Sequence, residues 1–94
     1  MNKKEIASGF LLGTIKVWNL DNGSCIKILE GNNHKVTCLL KLNDKQIASG
    51  SNNGTIKVWN LDDRSCSKTL IGNDMVYCLV KLNEWRIASG SEDI

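Results

Sequence analysis

Along this chain, short apolar and β-branched runs alternate with tight clusters of Asn, Asp and Gly. Residues 36–42, 46–50, 55–61 and 65–70 are such runs, and Asn43-Asp44, Asn52-Asn53-Gly54 and Leu61-Asp62-Asp63 separate them. Runs of this length bounded by turn formers predict β-strands. A helix of about ten residues finds no uninterrupted window. Asn53-Gly54 predicts a hairpin through a two-residue type I′ turn, in which both central residues take positive φ.

The pattern then repeats. Ile6-Ala7-Ser8-Gly9 returns as Ile47-Ala48-Ser49-Gly50 and again as Ile87-Ala88-Ser89-Gly90, and Gly13-Thr14-Ile15-Lys16-Val17-Trp18-Asn19-Leu20 returns as Gly54-Thr55-Ile56-Lys57-Val58-Trp59-Asn60-Leu61. Ser24-Cys25, Gly31-Asn32 and Lys41-Leu42-Asn43 recur as Ser65-Cys66, Gly72-Asn73 and Lys81-Leu82-Asn83, so more than half of the aligned positions are identical. A period of about 40 residues belongs either to helical repeat units or to four-stranded propeller blades. The local runs select four strands per repeat.

Composition narrows the picture further. The 94 residues carry a net charge of +2, no proline, and five aromatic residues of which three are Trp. Such a length allows one domain and a small core. Lys and Arg never form a run longer than Lys3-Lys4, so no clustered footprint for nucleic acid is present in the sequence. No stretch approaches the roughly 18 apolar residues of a membrane span. Met1-Asn2-Lys3-Lys4 followed by residues 6–15 imitates a secretory leader, but Glu5 interrupts it and the same apolar run recurs inside the chain.

The run Ile47-Ala48-Ser49-Gly50-Ser51, followed after two residues by Gly54-Thr55-Ile56-Lys57-Val58-Trp59-Asn60, resembles the signature of the WD-repeat β-propeller family. Gly31-Asn32 and Gly72-Asn73 stand where that family usually has Gly-His. The resemblance covers nearly the whole chain, from about Glu5 to Asp93. It implies an all-β fold of four-stranded antiparallel blades, with strands a to d running from the innermost outward. Residues 5–31 then give strands b, c and d of a first blade, 32–72 one complete blade, and 73–94 strands a and b of a third. The family often joins a His, a Ser, a Trp and a turn Asp in a hydrogen-bonded tetrad. By resemblance its places fall on Ser8, Trp18 and Asn32, on Ser49, Asn53, Trp59 and Asn73, and on Ser89 and Asp93. Asn32 and Asn73 replace the His and Asn53 the turn Asp, which removes the charge-assisted part of the network. Asn19 and Asn60 replace the Asp that gives the family its name.

Other chemistry is sparse. Cys25, Cys38, Cys66 and Cys78 follow the repeat and match no zinc spacing; they are expected as small core residues in a reducing compartment. His34 is the only histidine, expected in an exposed loop, so a catalytic triad or a metal cluster built on imidazole is hard to assemble within the chain. Asp62-Asp63 and Glu92-Asp93 are explained as turn residues. Asn22-Gly23-Ser24 and Asn53-Gly54-Thr55 match a glycosylation pattern but are equally explained as turns. No catalytic residue, cofactor or metal is expected.

Two departures from the repeat point outward. Phe10-Leu11-Leu12 replaces the polar Ser51-Asn52-Asn53, and Trp85 replaces Lys45. Exposed apolar residues mark contacts, so Phe10, Leu11, Leu12 and Trp85 are candidates for touching a partner. The resemblance implies a non-catalytic platform for other proteins or peptides; the alternative is a structural self-assembling unit, or an inactive truncated repeat, with no partner-binding role of its own. Free cysteines and the want of a credible leader lead to the expectation of the cytoplasm or nucleus. The unfinished first and third blades allow two further explanations: a piece of a longer propeller, or copies joined head to tail, residues 75–82 of one completing the b-c-d set of the next. In the second case the duplicate Ile87-Ala88-Ser89-Gly90 is displaced or displaces its counterpart.

Overall fold

A computed structural model describes residues 5–10, 13–30, 34–72, 74–84 and 86–91. Nine strands form in chain order: β1 (Glu5–Gly9), β2 (Ile15–Asn19), β3 (Cys25–Leu29), β4 (Val36–Asn43), β5 (Gln46–Ser51), β6 (Thr55–Asn60), β7 (Cys66–Ile71), β8 (Val76–Asn83) and β9 (Arg86–Ser91). They make three antiparallel sheets, β1-β2-β3, β4-β5-β6-β7 and β8-β9. One complete blade thus stands between two partial ones, and no helix occurs among the described residues.

The duplicated sequence produces a duplicated backbone. Ile6 pairs with Trp18 as Ile47 pairs with Trp59, and Ser8 with Lys16 as Ser49 with Lys57. A bulge falls between Val17 and Trp18 and again between Val58 and Trp59, which adds local twist where strand c meets strand d. The c-to-d turn requires a left-handed residue in both repeats: Gly23 at φ 74° in the first, Arg64 at φ 63° in the second.

The strands follow the expected runs with shifts of one residue at their ends. The turn type differs. Gly54 has φ 88°, while Asn53 is not among the residues of positive φ, so the type I′ hairpin is overturned. The Gly54 N–H instead donates to the Ser51 carbonyl at 3.2 Å, and Asn52-Asn53-Gly54 form a three-residue loop ending on a left-handed glycine. Space enforces the glycine as well, since a Cβ there would lie 2.8 Å from the Asp74 carbonyl oxygen.

Two apolar layers hold the sheets together. Ile15, Val17 and Leu29 of the first sheet pack with Val36, Ile47, Trp59 and Leu61. On the other face of the central blade, Ala48 packs with Val76 and Leu79 of the third sheet, flanked by Leu40 and Ile56. The central sheet is therefore packed against apolar neighbours on both faces, unlike a sheet with one wet side. Lys27 Nζ donates to the Leu61 carbonyl at 2.6 Å and Lys81 Nζ to the Leu42 carbonyl at 2.6 Å, so both layers are also tied by lysines reaching across.

Candidate functional site

Within the blades, Ser and Trp meet as neighbours on one face of the b-c pair. Trp59 Nε1 donates to Ser49 Oγ at 2.9 Å, both residues being buried, and Trp18 Nε1 donates to Ser8 Oγ at 2.8 Å in the first sheet. Burying an indole N–H without an acceptor is costly, and Ser49 supplies that acceptor. Asn53 Oδ1 accepts from the Ser51 hydroxyl and, at 3.2 Å, from the Thr55 N–H, so this side chain closes its own turn. Ser89, on the two-stranded third sheet, is exposed. Asn32, Asn73 and Asp93 lie outside the described residues.

At one end of the blades, the b-to-c and d-to-a loops are bound together by main chain. The Val36 N–H donates to the Phe10 carbonyl at 3.3 Å, Asn52 N–H to the Lys35 carbonyl at 3.1 Å, and Gly72 N–H to the Gly54 carbonyl at 2.9 Å. These bonds tie the loops to one another. Phe10 is exposed on this face, with the Lys16 ammonium 5.1 Å from its ring centroid, a cation–π arrangement that keeps the ring outward. Leu11, Leu12 and Trp85 lie outside the described residues. His34 is exposed beside a polar recess of about 250 Å³ that Asn53, Thr55, Lys57 and Thr69 also line.

The opposite end is polar. Asn43 Nδ2 donates to Gln46 Oε1 at 3.1 Å, and Gln46 Nε2 to Asn60 Oδ1 at 3.0 Å. Asn60 Nδ2 in turn donates to Ser65 Oγ at 3.3 Å, so the Asn that replaces the family's Asp anchors the c-to-d turn. Asp63 accepts from the Ser65 hydroxyl at 2.6 Å and the Ser65 N–H at 2.9 Å, which holds its carboxyl below the usual carboxylate range.

The cysteines correct the sequence expectation. All four are free, but Cys25, Cys66 and Cys78 are exposed and only Cys38 is half-buried. Cys25 and Cys66 start the outer strands, where no further strand covers them, and Cys78 lies on a sheet that lacks its outer strands. Burial pushes the Cys38 thiol up, against the Thr37 hydroxyl and the Gly50 backbone, which favour the thiolate; nearby Cys78 adds to the rise. Among the described residues no group of three or more His, Cys, Asp or Glu could hold a metal. Lys27 and Lys81 went unnoticed in the sequence, although both stand between apolar neighbours and recur at equivalent positions as Lys68 and Lys41.

The family model described as WD domain, G-beta repeat matches residues 23–60. No curated protein matches the chain. Among solved structures, the β-propeller domain of Myceliophteria thermophila Cps50 (Swd1) aligns with a TM-score of 0.83 at 21% identity, over 94% of this chain and 29% of that one. The computationally designed Ika8 protein aligns with a TM-score of 0.85 at 28% identity, over 99% of this chain and 29% of its own. The designed Ika4 protein gives the same TM-score and identity, with 57% of its chain covered. The chain therefore spans under two thirds of each of these structures, and under a third of the first two. These likenesses define the class, a β-propeller. Residues 23–60 match the WD40 repeat model, and the chain as a whole has the fold of part of a β-propeller.

Proposed function

We propose that this chain is a non-catalytic protein-interaction scaffold, a fragment or subunit of a WD-repeat propeller whose loop face receives segments of other proteins or peptides. The observation that carries it is the bonding of the b-to-c and d-to-a loops to one another, through Phe10, Lys35 and Gly54 carbonyls. Loops held by a rigid scaffold are the usual site of recognition. Phe10, exposed with Lys16 over its ring, is the candidate anchor. Four free thiols fit a reducing compartment, cytoplasmic or nuclear. Neither nucleic acid nor membrane is a proposed partner.

The test replaces Phe10-Leu11-Leu12 by Ser-Asn-Asn, the residues of the second repeat. Proteins captured by the parent chain and lost with the variant support the scaffold role of this face; an unchanged set of partners contradicts it.

A second reading is a structural unit that assembles with itself. Its support is the exposure of Ile6, Leu20 and Leu70, whose repeat equivalents Ile47, Leu61 and Leu29 are buried between blades.

A further inference from the structure

Two exposed faces of the described sheets repeat the two halves of an interface that already exists between the first and central sheets. Between the first and central sheets, Leu29 is 0% exposed against a surface in which Ile47 is 1%, Trp59 1% and Leu61 3% exposed. At the far side of the central blade, Leu70 repeats Leu29 but is 46% exposed. On the outer face of the first sheet, Ile6 and Leu20 repeat Ile47 and Leu61 but are 47% and 53% exposed. One face thus presents the donor surface and the other the acceptor surface, a heterologous pair.

The strands are unfinished in the same complementary way. Among the described residues β1 pairs with β2 alone, where its counterpart β5 also has β4 on its other side, and β8, the counterpart of β4, pairs with β9 alone. β9 and β1 share Ile-Ala-Ser-Gly, so β8 has two alternative partners of the same sequence. The register transfers without adjustment. Cys78 stands opposite Gly90, Leu79 opposite Ser89 and Val80 opposite Ala88, as Cys38, Leu39 and Leu40 stand opposite Gly50, Ser49 and Ala48. A missing Cβ is required where the thiol lies: one built on Gly50 would be 2.6 Å from Cys38 Sγ, and one on Gly90 2.7 Å from Cys78 Sγ. β1 offers a glycine, Gly9, at that same place.

We propose that a second copy of this chain docks head to tail by strand exchange, its β1-β2-β3 sheet replacing β9 on β8. The hybrid blade has four strands, β8 from one copy and β1 to β3 from the next. Its outer face covers Leu70 of the first copy with Ile6, Trp18 and Leu20 of the second. The reaching lysines find equivalents: Lys68, the repeat of Lys27, faces the Leu20 carbonyl, and Lys41, the repeat of Lys81, faces the Leu82 carbonyl. Lys41 already makes the ion pair with Asp44 at 3.1 Å that Lys81 makes with Glu84 at 3.5 Å while also holding the Leu42 carbonyl. Each copy then supplies eight paired strands, or two blades, and about three or four copies complete a ring of ordinary blade number. The inference rests on the self-assembling reading and adds the surface, the register and the strand given up.

The test has three arms. First, the mass of the full chain in solution by sedimentation is a discrete assembly of about three or four copies; the mass of one chain at all concentrations overturns both the assembly and the reading beneath it. Second, Leu20→Lys and Leu70→Lys change residues already exposed in the single chain, so each variant folds but has the mass of one chain. Their equimolar mixture regains a two-chain complex, because each retains the half that the other lacks. Absence of that complementation overturns the head-to-tail pairing. Third, amide hydrogen exchange of the parent chain is compared with that of Leu20→Lys. On assembly, residues 6–9 gain protection and residues 87–90 lose it by at least tenfold. Assembly with residues 87–90 still protected leaves self-association standing and overturns strand exchange.

Discussion

Trp59 and Trp18 occupy the same place in two copies of one sequence, with the same bulge and the same Ser acceptor, yet only Trp59 is buried, at 1% exposure. The difference comes from the preceding sheet. Trp59 is covered by the apolar face carrying Ile15, Val17 and Leu29, and no sheet among the described residues covers Trp18 in that way. The pair shows that the local repeat fixes strand, turn and hydrogen bond, while the stacking of neighbours fixes burial. Quasi-one-dimensional architectures behave so, each unit deriving much of its stability from the interface with the next.

The sharpest way to break the comparison is to truncate both indoles. Trp59→Ala is expected to cost about 3–5 kcal/mol, enough to unfold a domain of marginal stability. Trp18→Ala is expected to cost about 1–2 kcal/mol at concentrations where the chain stands alone, since much of its face is already wet. Urea unfolding followed by circular dichroism measures both, and equal losses would remove the distinction.

Gly50→Ala acts on the same layers from the backbone. Its Cβ would lie 2.6 Å from Cys38 Sγ and 2.7 Å from Val76 Cγ1, at the contact between the central and third sheets. A loss of about 1–3 kcal/mol is expected from the overpacking, read as a lower denaturation midpoint with little change in slope.

Arg64→Gly should move stability the other way. Arg64 holds φ 63° where the first repeat has Gly23 at 74°. Relieving a left-handed L-residue, less the extra entropy of glycine, is expected to gain about 0.5–1 kcal/mol. A thermal midpoint unchanged or lowered would contradict this.

The smallest effects concern ionisation. With a thiol reagent near pH 8, Cys38 should react several-fold more slowly than Cys25 or Cys66, because burial raises its pKa and limits access. Asp63, with its carboxyl pKa lowered by Ser65, favours the folded c-to-d turn above the ordinary carboxylate range, and that contribution is lost as pH falls through its folded pKa. A carbon-detected NMR titration of Asp63, with a midpoint below that of an unstructured Asp, checks the direction.

Much of this was legible in the chain. The period, the Gly-Thr-Ile-Lys-Val-Trp-Asn run and the turn formers carried the strands and the propeller fold, because strand pairing and turn chemistry are local and were written twice. The Ser and Trp of the first two sheets recur for the same reason, and a hydrogen bond joins each pair. The cysteines could not, because their exposure depends on which outer strands are present to cover them rather than on residue type. Asn53-Gly54 misled on the turn because the same dipeptide serves a three-residue loop when only its glycine is left-handed. Lys27 and Lys81 escaped notice because their function is to reach a carbonyl of another sheet, which strand patterns within one sheet do not reveal.

The stacking of consecutive sheets is tested most directly by methyl–aromatic NOEs from the Trp59 indole. Cross-peaks to methyl groups of Ile15, Val17 or Leu29 are predicted, since those side chains share one buried layer with it. An indole that shows contacts only to residues of β4 to β7 would contradict the account.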